Sequence, residues 1–191
     1  MADNRDSTGE VPGQGTVDEY LDTESSLRRA AQTAGTPDGY TKAFTDLTGS
    51  TEQIGYLTYK TLDTYSPDEC AAFCNSEKFC LGFNIFFERD PSVDPGVECN
   101  DPMPVTNIKC SIYGYPVAAA SATNQGQYRG DFHVVITGSN GKLSHPAQRP
   151  EYSLLTYTQV TPRPAKESAS PPLPSRASTL PPTSPLPSTL P

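Results

Sequence analysis

The 191-residue sequence has no long apolar run and few basic residues. No stretch approaches the roughly 20 consecutive apolar residues that cross a bilayer, so we expect no membrane-spanning helix. The 14 Lys and Arg residues are outnumbered by 22 Asp and Glu, for a net charge of −8. A nucleic-acid-binding protein carries a basic stripe, and anionic lipid attracts positive charge. We therefore expect neither nucleic acid nor an anionic membrane surface as a partner.

Cysteine is absent from most of the chain. All five cysteines lie in one window of 41 residues: Cys70, Cys74, Cys80, Cys99 and Cys110. Such density in a short domain is typical of the disulfide frameworks of secreted modules. Zinc is the competing explanation, but a structural zinc site needs paired C-x2-4-C ligands at both ends. Cys70 and Cys74 alone form such a pair, and both histidines are remote, so we predict no metal.

No secretory signal is visible at the start of the sequence. Residues 1–14 are polar and acidic and lack the apolar core of a signal peptide. This conflicts with the oxidising compartment that the cysteines indicate. We expect the true amino terminus to lie upstream; the alternative is a cytosolic chain whose cysteines stay reduced. The predicted location is extracellular or in a cell wall.

The sequence also lacks the short motifs of common catalytic sites. We find no nucleophile elbow, metalloprotease helix or phosphate loop. Asp131 and His133 share one face of a predicted strand and suggest an acid/base pair, with Cys99 as a nucleophile. A histidine on the polar face of a strand is far more common without catalysis, so we predict no catalytic residue and no cofactor.

Composition divides the chain into three parts. Residues 1–39 are rich in acidic and small polar residues, with a weak helical pattern around residues 17–31, and are expected to be mostly disordered. Residues 40–141 hold the aromatic and β-branched residues of one small domain. Residues 142–191 form a Pro/Ser/Thr-rich tail, in which ten of the last thirty residues are proline. This composition favours an extended, disordered and O-glycosylated stalk.

Periodicity within the domain predicts one helix and several strands. Ser66, Pro67 and Glu69 form a capping box at the start of a helix over residues 67–76. Four prolines and a glycine favour a loop over residues 88–105. Residues 40–50 are expected to be an extended lead-in, and alternating apolar residues predict strands over residues 54–62, 80–87, 107–116 and 127–137.

This order of elements resembles the PAN/Apple module family. A strand is followed by a helix with C-x3-C, a strand opened by a third cysteine and a later strand with another. The strings FNIFFERDPSVDPG, TNIKC and NQGQYRGDFHVVITGSNG resemble most the apple-like modules of fungal secreted proteins, over about residues 36–141. The resemblance implies that Cys70 bonds to Cys110 and Cys74 to Cys80. Spacing alone leaves three pairings of four cysteines open.

The resemblance also bears on Cys99. Members of the group typically continue after the SNG string with a second module, whose early part supplies a further cysteine. This sequence differs completely from Lys142 onward, so the resemblance implies that Cys99 has lost its partner. We expect a free thiol or an intermolecular disulfide through Cys99, or a truncated, frameshifted or spliced product.

Candidate ligand contacts come from the loop after the second predicted strand and from the tyrosines. The acidic loop over residues 88–101 could ligate calcium, but it lacks the D-x-[DN]-x-[DN]-G spacing, and a solvated loop is the commoner outcome. Flat aromatic and amide groups on a sheet suit sugar rings or protein surfaces. For Arg89 the alternative is a local structural salt bridge or a loop-ordering hydrogen bond. The candidate contacts are Arg89, Asp90, Tyr113, Tyr128 and Arg129.

These observations predict a small α+β module stapled by two disulfides. One helix packs on a curved antiparallel sheet of four or five strands, and both termini are disordered. The PAN/Apple resemblance implies non-catalytic recognition or adhesion, with carbohydrate or extracellular protein as the partner, at a cell surface or wall. The alternatives are a secreted hydrolase or its accessory module, and a gene fragment without function.

Overall fold

The computed structural model describes residues 7–145, which form an α+β fold around one antiparallel sheet. The helices are α1 (Val17–Leu21), α2 (Ser26–Thr33) and α3 (Pro67–Ser76), with a 3-10 turn at Ala119–Ser121. The strands are β1 (Tyr40–Leu47), β2 (Tyr56–Leu62), β3 (Gly82–Pro91), β4 (Pro104–Tyr113), β5 (Gly126–Arg129) and β6 (Phe132–Ser144). The strand order is β1-β6-β3-β4-β2, and β5 also pairs with β6. None of the helices in this part of the chain has the length and apolar character needed to span a bilayer.

Helix α3 has the predicted bounds and is tied to the sheet by both disulfides. The Ser66 hydroxyl accepts a hydrogen bond from the Glu69 N–H at 3.2 Å, as an N-cap should. The Glu69 carboxylate pairs with Lys60 Nζ at 2.6 Å. Cys70 bonds to Cys110 of β4, and Cys74 bonds to Cys80 just before β3, which is the connectivity that the resemblance implied. All four disulfide cysteines are fully buried.

Strands β3 and β4 are longer than predicted because the expected loop begins later. The two strands pair without a register shift from Gly82 opposite Tyr113 to Pro91 opposite Pro104. Pro91 and Pro104 occupy the last paired positions of the ladder, where the lack of a proline N–H disrupts the fewest hydrogen bonds between the strands. The charges of Glu88 and Asp90 are tolerated inside the sheet because Lys109 lies beside both. The connecting loop is thereby reduced to residues 92–103.

The expectation of a mostly disordered segment over residues 1–39 is wrong for residues 7–39. Helices α1 and α2 lie there, and Tyr20, Leu27 and Ala31 are buried in the core. Arg28 Nη2 donates to Asp46 Oδ2 at 3.0 Å. Few apolar residues are needed because each is buried against the sheet, so the composition of this segment led to an underestimate of its order. Residues 1–6 lie outside the described part of the chain.

The single strand predicted over residues 127–137 is a hairpin. Strands β5 and β6 turn at Gly130, whose φ of +61° suits glycine, and Asp131. Strand β6 then passes through Gly138 (φ +56°), with a register shift against β3 there, and continues to Ser144. The ordered domain therefore extends beyond the predicted end at residue 141. The predicted tail covers residues 142–191. Its residues from position 146 onward lie outside the described part of the chain.

The strand register separates two faces of the sheet. Phe83, Ile85 and Cys110 belong to the core that includes α3 and buried residues of α1 and α2. Side chains alternate along a strand, so the neighbouring positions on β2, β3 and β4 lie on the opposite face. We call that side the polar face; it comprises Tyr59, Glu88, Asp90, Lys109 and Ser111.

Candidate recognition face and cleft

The five predicted ligand contacts divide into three buried and two exposed residues. Arg89, Asp90 and Tyr113 are 8%, 2% and 2% exposed. Tyr128 is 69% exposed, and the Arg129 side chain is 42% exposed. Burial therefore leaves Tyr128 and Arg129 accessible to a ligand and gives the other three mainly structural roles.

Arg89 is a structural residue and not a surface contact, which corrects its candidacy. Its Nε donates to the Gly15 carbonyl at 2.7 Å, and its Nη1 donates to the His133 carbonyl at 2.6 Å. The guanidinium also lies 4.0 Å from the centre of the Phe132 ring. Burial lowers the pKa of Arg89. The side chain thus ties the N-terminal segment to β6, a long-range role that differs from the local alternative expected for it.

Asp90 lies in a buried group of charges on the polar face. Its Oδ2 accepts a hydrogen bond from the Asn107 amide at 2.7 Å and lies 3.4 Å from Lys109 Nζ. Its Oδ1 is 3.8 Å from Arg129 Nη2 and has no hydrogen-bond partner among the described residues. The carboxylate therefore retains acceptor capacity beside the exposed Arg129.

Glu88 completes this group, and its environment disfavours the charged form. Its carboxylate contacts Lys109 Nζ while the residue is 7% exposed. Burial raises the pKa of Glu88 to about 7, with Lys109 opposing and Asp90 reinforcing the shift. Burial alone would lower the pKa of Lys109, but Glu88 and Asp90 outweigh it and raise that pKa. The net charge of the group is close to zero, because the acids Glu88 and Asp90 are matched by the bases Lys109 and Arg129.

Two half-exposed tyrosines lie beside the charged group on β2. Tyr56 and Tyr59 are 50% and 52% exposed. Lys109 Nζ is 5.6 Å from the centre of the Tyr59 ring. The Tyr56 ring meets the buried Tyr113 ring edge-on, with 5.9 Å between centres. Each ring is thus supported from below while one side remains accessible.

A cleft of about 400 Å³ opens beside Tyr56. Its floor includes Ser111 and Phe86. Ser111 lies near Lys109 along β4, and Phe86 lies near Glu88 along β3. Hydroxyl, amide and aromatic side chains predominate in its lining, which comprises Ser50, Thr51, Glu52, Gln53, Tyr56, Phe86, Ser111, Tyr113 and Asn124.

Hydrogen bonds hold the cleft's wall rigidly. The backbones of Ser50 and Asn124 bond to each other in both directions, at 2.8 and 3.1 Å. The Thr51 N–H donates to Asn84 Oδ1 at 2.8 Å, and the Tyr113 hydroxyl donates to the Thr51 carbonyl at 2.7 Å. Tyr113, predicted as a ligand contact, therefore acts chiefly as the support of this wall, and burial holds its pKa above the usual value.

Residues suggested for acid/base or nucleophilic chemistry have other neighbours. The Asp131 carboxylate accepts a hydrogen bond from the Asn100 amide. The His133 ring stacks on Tyr128, with centres 4.2 Å apart. Cys99 is an exposed free thiol in a turn closed by backbone bonds to Gly96. Within residues 7–145, no three His, Cys, Asp or Glu side chains converge as ligands for a metal ion.

Sequence reasoning missed the cleft and the role of Lys109. The cleft is built from segments far apart in the chain, and no local pattern marks residues 50–53 or Asn124. A signal for Lys109 was present, because it lies between Ile108 and Cys110 in an apolar alternation and so must lie on the opposite face.

Comparison with protein-family models, curated proteins and solved structures finds no match to this chain. The likeness to the PAN/Apple family therefore stays a prediction.

Proposed function

We propose that this protein is a non-catalytic recognition module that binds carbohydrate or protein at a cell surface or wall. The observation that carries the proposal is the pair of half-exposed tyrosines beside a rigid cleft. Aromatic rings fixed in position contribute large contact areas at low entropic cost. They are enriched where proteins recognise partners. The PAN/Apple resemblance favours the same function.

The two disulfides support an extracellular setting for this function. They are consistent with an oxidising environment. The first joins helix α3 to β4, and the second joins it to the segment before β3, so the sheet that carries the tyrosines is braced from behind. A braced surface loses little conformational freedom on binding.

The test is a comparison of binding with turnover on the folded, oxidised full chain. We expect binding on a glycan array or in pull-downs with extracellular proteins, and no hydrolysis of chromogenic esters or glycosides. Hydrolysis that disappears in His133→Ala would overturn the proposal in favour of a hydrolase. Failure of the chain to accumulate as folded protein would also contradict it.

Single substitutions locate the binding surface. We expect Tyr59→Ala to weaken binding at least tenfold. An aromatic side chain at the centre of an interface that is a binding hot spot contributes about 2 kcal/mol or more. Tyr128→Ala is the control, because Tyr128 is also exposed, at 69% against 52% for Tyr59, but lies on β5. Loss of binding in the Tyr128 variant alone would place the surface at the β5-β6 hairpin instead.

A further inference from the structure

A buried lysine and a buried aspartate meet on neighbouring strands of the sheet. Lys109 lies on β4 and Asp90 on β3, and Lys109 Nζ is 3.4 Å from Asp90 Oδ2. Their side chains are only 19% and 3% exposed. Removing two charges from water costs free energy that their mutual attraction does not always offset. An amine and a carboxyl group held together in this way are also the two reactants of an amide bond.

The fold supplies the proximity that such a bond requires. Groups that are held and oriented within one molecule react as if at effective concentrations of about 10⁵ M or more. Strands β3 and β4 pair without a register shift from Gly82 to Pro91 on β3. The backbone ladder therefore fixes the positions from which the two side chains approach each other.

Glu88 connects the amine to the carboxyl group. Its carboxylate contacts Lys109 Nζ, and the residue is 7% exposed. Burial raises the pKa of Glu88 to about 7, and a hydrogen bond with the Asp90 carboxyl group reinforces the shift. A group with a pKa near neutrality both accepts and returns a proton readily. Glu88 therefore has the contacts and the acidity of a proton carrier between the two reactants.

The two oxygens of Asp90 have different surroundings. Oδ2 accepts a hydrogen bond from the Asn107 amide at 2.7 Å, whereas Oδ1 is buried and has no hydrogen-bond partner among residues 7–145. A donor at Oδ2 stabilises the negative charge that develops on that oxygen when the carbon is attacked. An unsatisfied buried oxygen destabilises the folded state. Amide formation would remove Oδ1 from the interior as water and would leave Oδ2 with its donor.

We propose that Lys109 and Asp90 form an intramolecular amide bond, with Glu88 as the proton carrier. One proton passes from the Lys109 ammonium through Glu88 to the Asp90 carboxylate, which gives a neutral amine and a neutral acid. Nζ then attacks Cγ and the N–C bond forms, while a second proton passes from the nitrogen through Glu88 to Oδ1. The C–Oδ1 bond breaks and water leaves, so Glu88 returns to its starting state and nothing is oxidised or reduced. The reaction occurs once in each molecule and consumes no external substrate.

The measurement is the intact mass of the folded full chain after reduction, which opens disulfides but not an amide. We expect a mass that is lower by one water than the sequence requires. In an unlinked chain, cleavage after glutamate separates residues 89–98 from residues 99–151. We expect these two peptides to remain joined, and fragmentation to place the link between Asp90 and Lys109.

Two variants test the roles of the reacting groups. Arginine keeps the positive charge but stays protonated, so we expect Lys109→Arg to show its full mass. Glu88→Gln keeps the size of the side chain without its titrating proton, so we expect the bond to form about a hundredfold more slowly. Because Glu88 and Asp90 raise the pKa of Lys109, the neutral amine is scarce, and the masses are followed over several days at neutral pH.

Lys60 and Glu69 provide the matched control. Lys60 Nζ is 2.6 Å from Glu69 Oε1, but these side chains are 38% and 44% exposed. Proximity is therefore present in this pair without burial. We expect Lys60→Arg to lose one water as the wild type does, because the exposed pair does not react.

Three results would overturn the proposal. A full mass for the folded wild type after the incubation would show that no bond forms. Loss of water that persists in Lys109→Arg would place the reaction elsewhere in the chain. A link from Lys109 to Glu88 would exclude Asp90 as the acyl group. The peptide link in the wild type is decisive even if a variant fails to fold, and no result depends on the identity of a ligand.

Discussion

At the scale of single residues, Tyr113 links the core to the cleft. We expect Tyr113→Phe to lower the free energy of unfolding by about 1 kcal/mol, because the buried Thr51 carbonyl loses its donor. Denaturation in urea measures the change. Tyr128→Phe is the control, since that exposed tyrosine should tolerate the change within about 0.5 kcal/mol. Equal effects of the two variants would mean that the Thr51 contact contributes nothing.

Glu88 should make stability depend on pH. With a pKa raised to about 7 by burial, the folded protein keeps a proton that the unfolded chain has released above about pH 4.5. The contribution of this group to the free energy of unfolding therefore falls as pH rises from about 4.5 to 7 and is constant above that. We expect Glu88→Gln to flatten this decline in urea midpoints measured across that range.

The control for the pH experiment is Glu69→Gln. Glu69 also pairs with a lysine, Lys60, but both side chains are substantially exposed. We expect this variant to keep the wild-type pH profile. A profile that is unchanged in Glu88→Gln as well would show that Glu88 titrates near its ordinary pKa and that Lys109 keeps it charged.

At the scale of elements, the N-terminal helices are part of the domain. Leu27 is 3% exposed and belongs to the same core as α3 and β3. We expect Leu27→Ala to cost about 2–4 kcal/mol and to lower the midpoint of a single cooperative unfolding transition. Leu57→Ala, at a position 39% exposed on β2, should cost under about 1 kcal/mol. A wild-type midpoint for Leu27→Ala would mean that the segment is detached from the fold.

Helix α3 could be predicted from the sequence because its signals are local. Ser66 and Pro67 mark its start within two adjacent residues, and the observed helix begins there. The N-terminal helices could not be predicted with the same success, since their order depends on remote partners. Tyr20 reaches Thr106, 86 residues away, with 2.5 Å between the hydroxyl oxygens. Composition alone cannot reveal such contacts.

The same distinction holds for the site. Exposure of Tyr128 and Arg129 follows from their place in a hairpin, whereas burial of Arg89 depends on Gly15, which lies 74 residues earlier. The cleft needs residues 50–53 and Asn124 to meet over the sheet, and only the assembled topology brings them together. Residue types in the sequence therefore indicated which kinds of side chain could contact a ligand. Which of those side chains are exposed depends on the assembled fold.

At the scale of the whole molecule, the two disulfides should contribute unequally. The bond between Cys70 and Cys110 spans 40 residues, and that between Cys74 and Cys80 spans 6. Loop-closure entropy then gives about 4 kcal/mol for the longer and about 2 kcal/mol for the shorter. Domains of this size retain roughly 5–15 kcal/mol in all. Removing the longer bond should therefore leave little stability.

Paired replacements by alanine measure this difference. We expect the Cys70→Ala/Cys110→Ala protein to unfold at a much lower urea concentration than the Cys74→Ala/Cys80→Ala protein. The wild type treated with reductant should resemble the protein that lacks both bonds. Equal midpoints with and without reductant would contradict the view that cross-links brace this sheet.

The exposed turn at Cys99 gives the protein a built-in attachment point. The sequence has five cysteines, and four are joined in disulfides, so one thiol remains for coupling. A maleimide dye or biotin would react there without any engineered residue. Cys99 is not among the residues that line the cleft, so a label coupled through its thiol is not attached to the cleft lining.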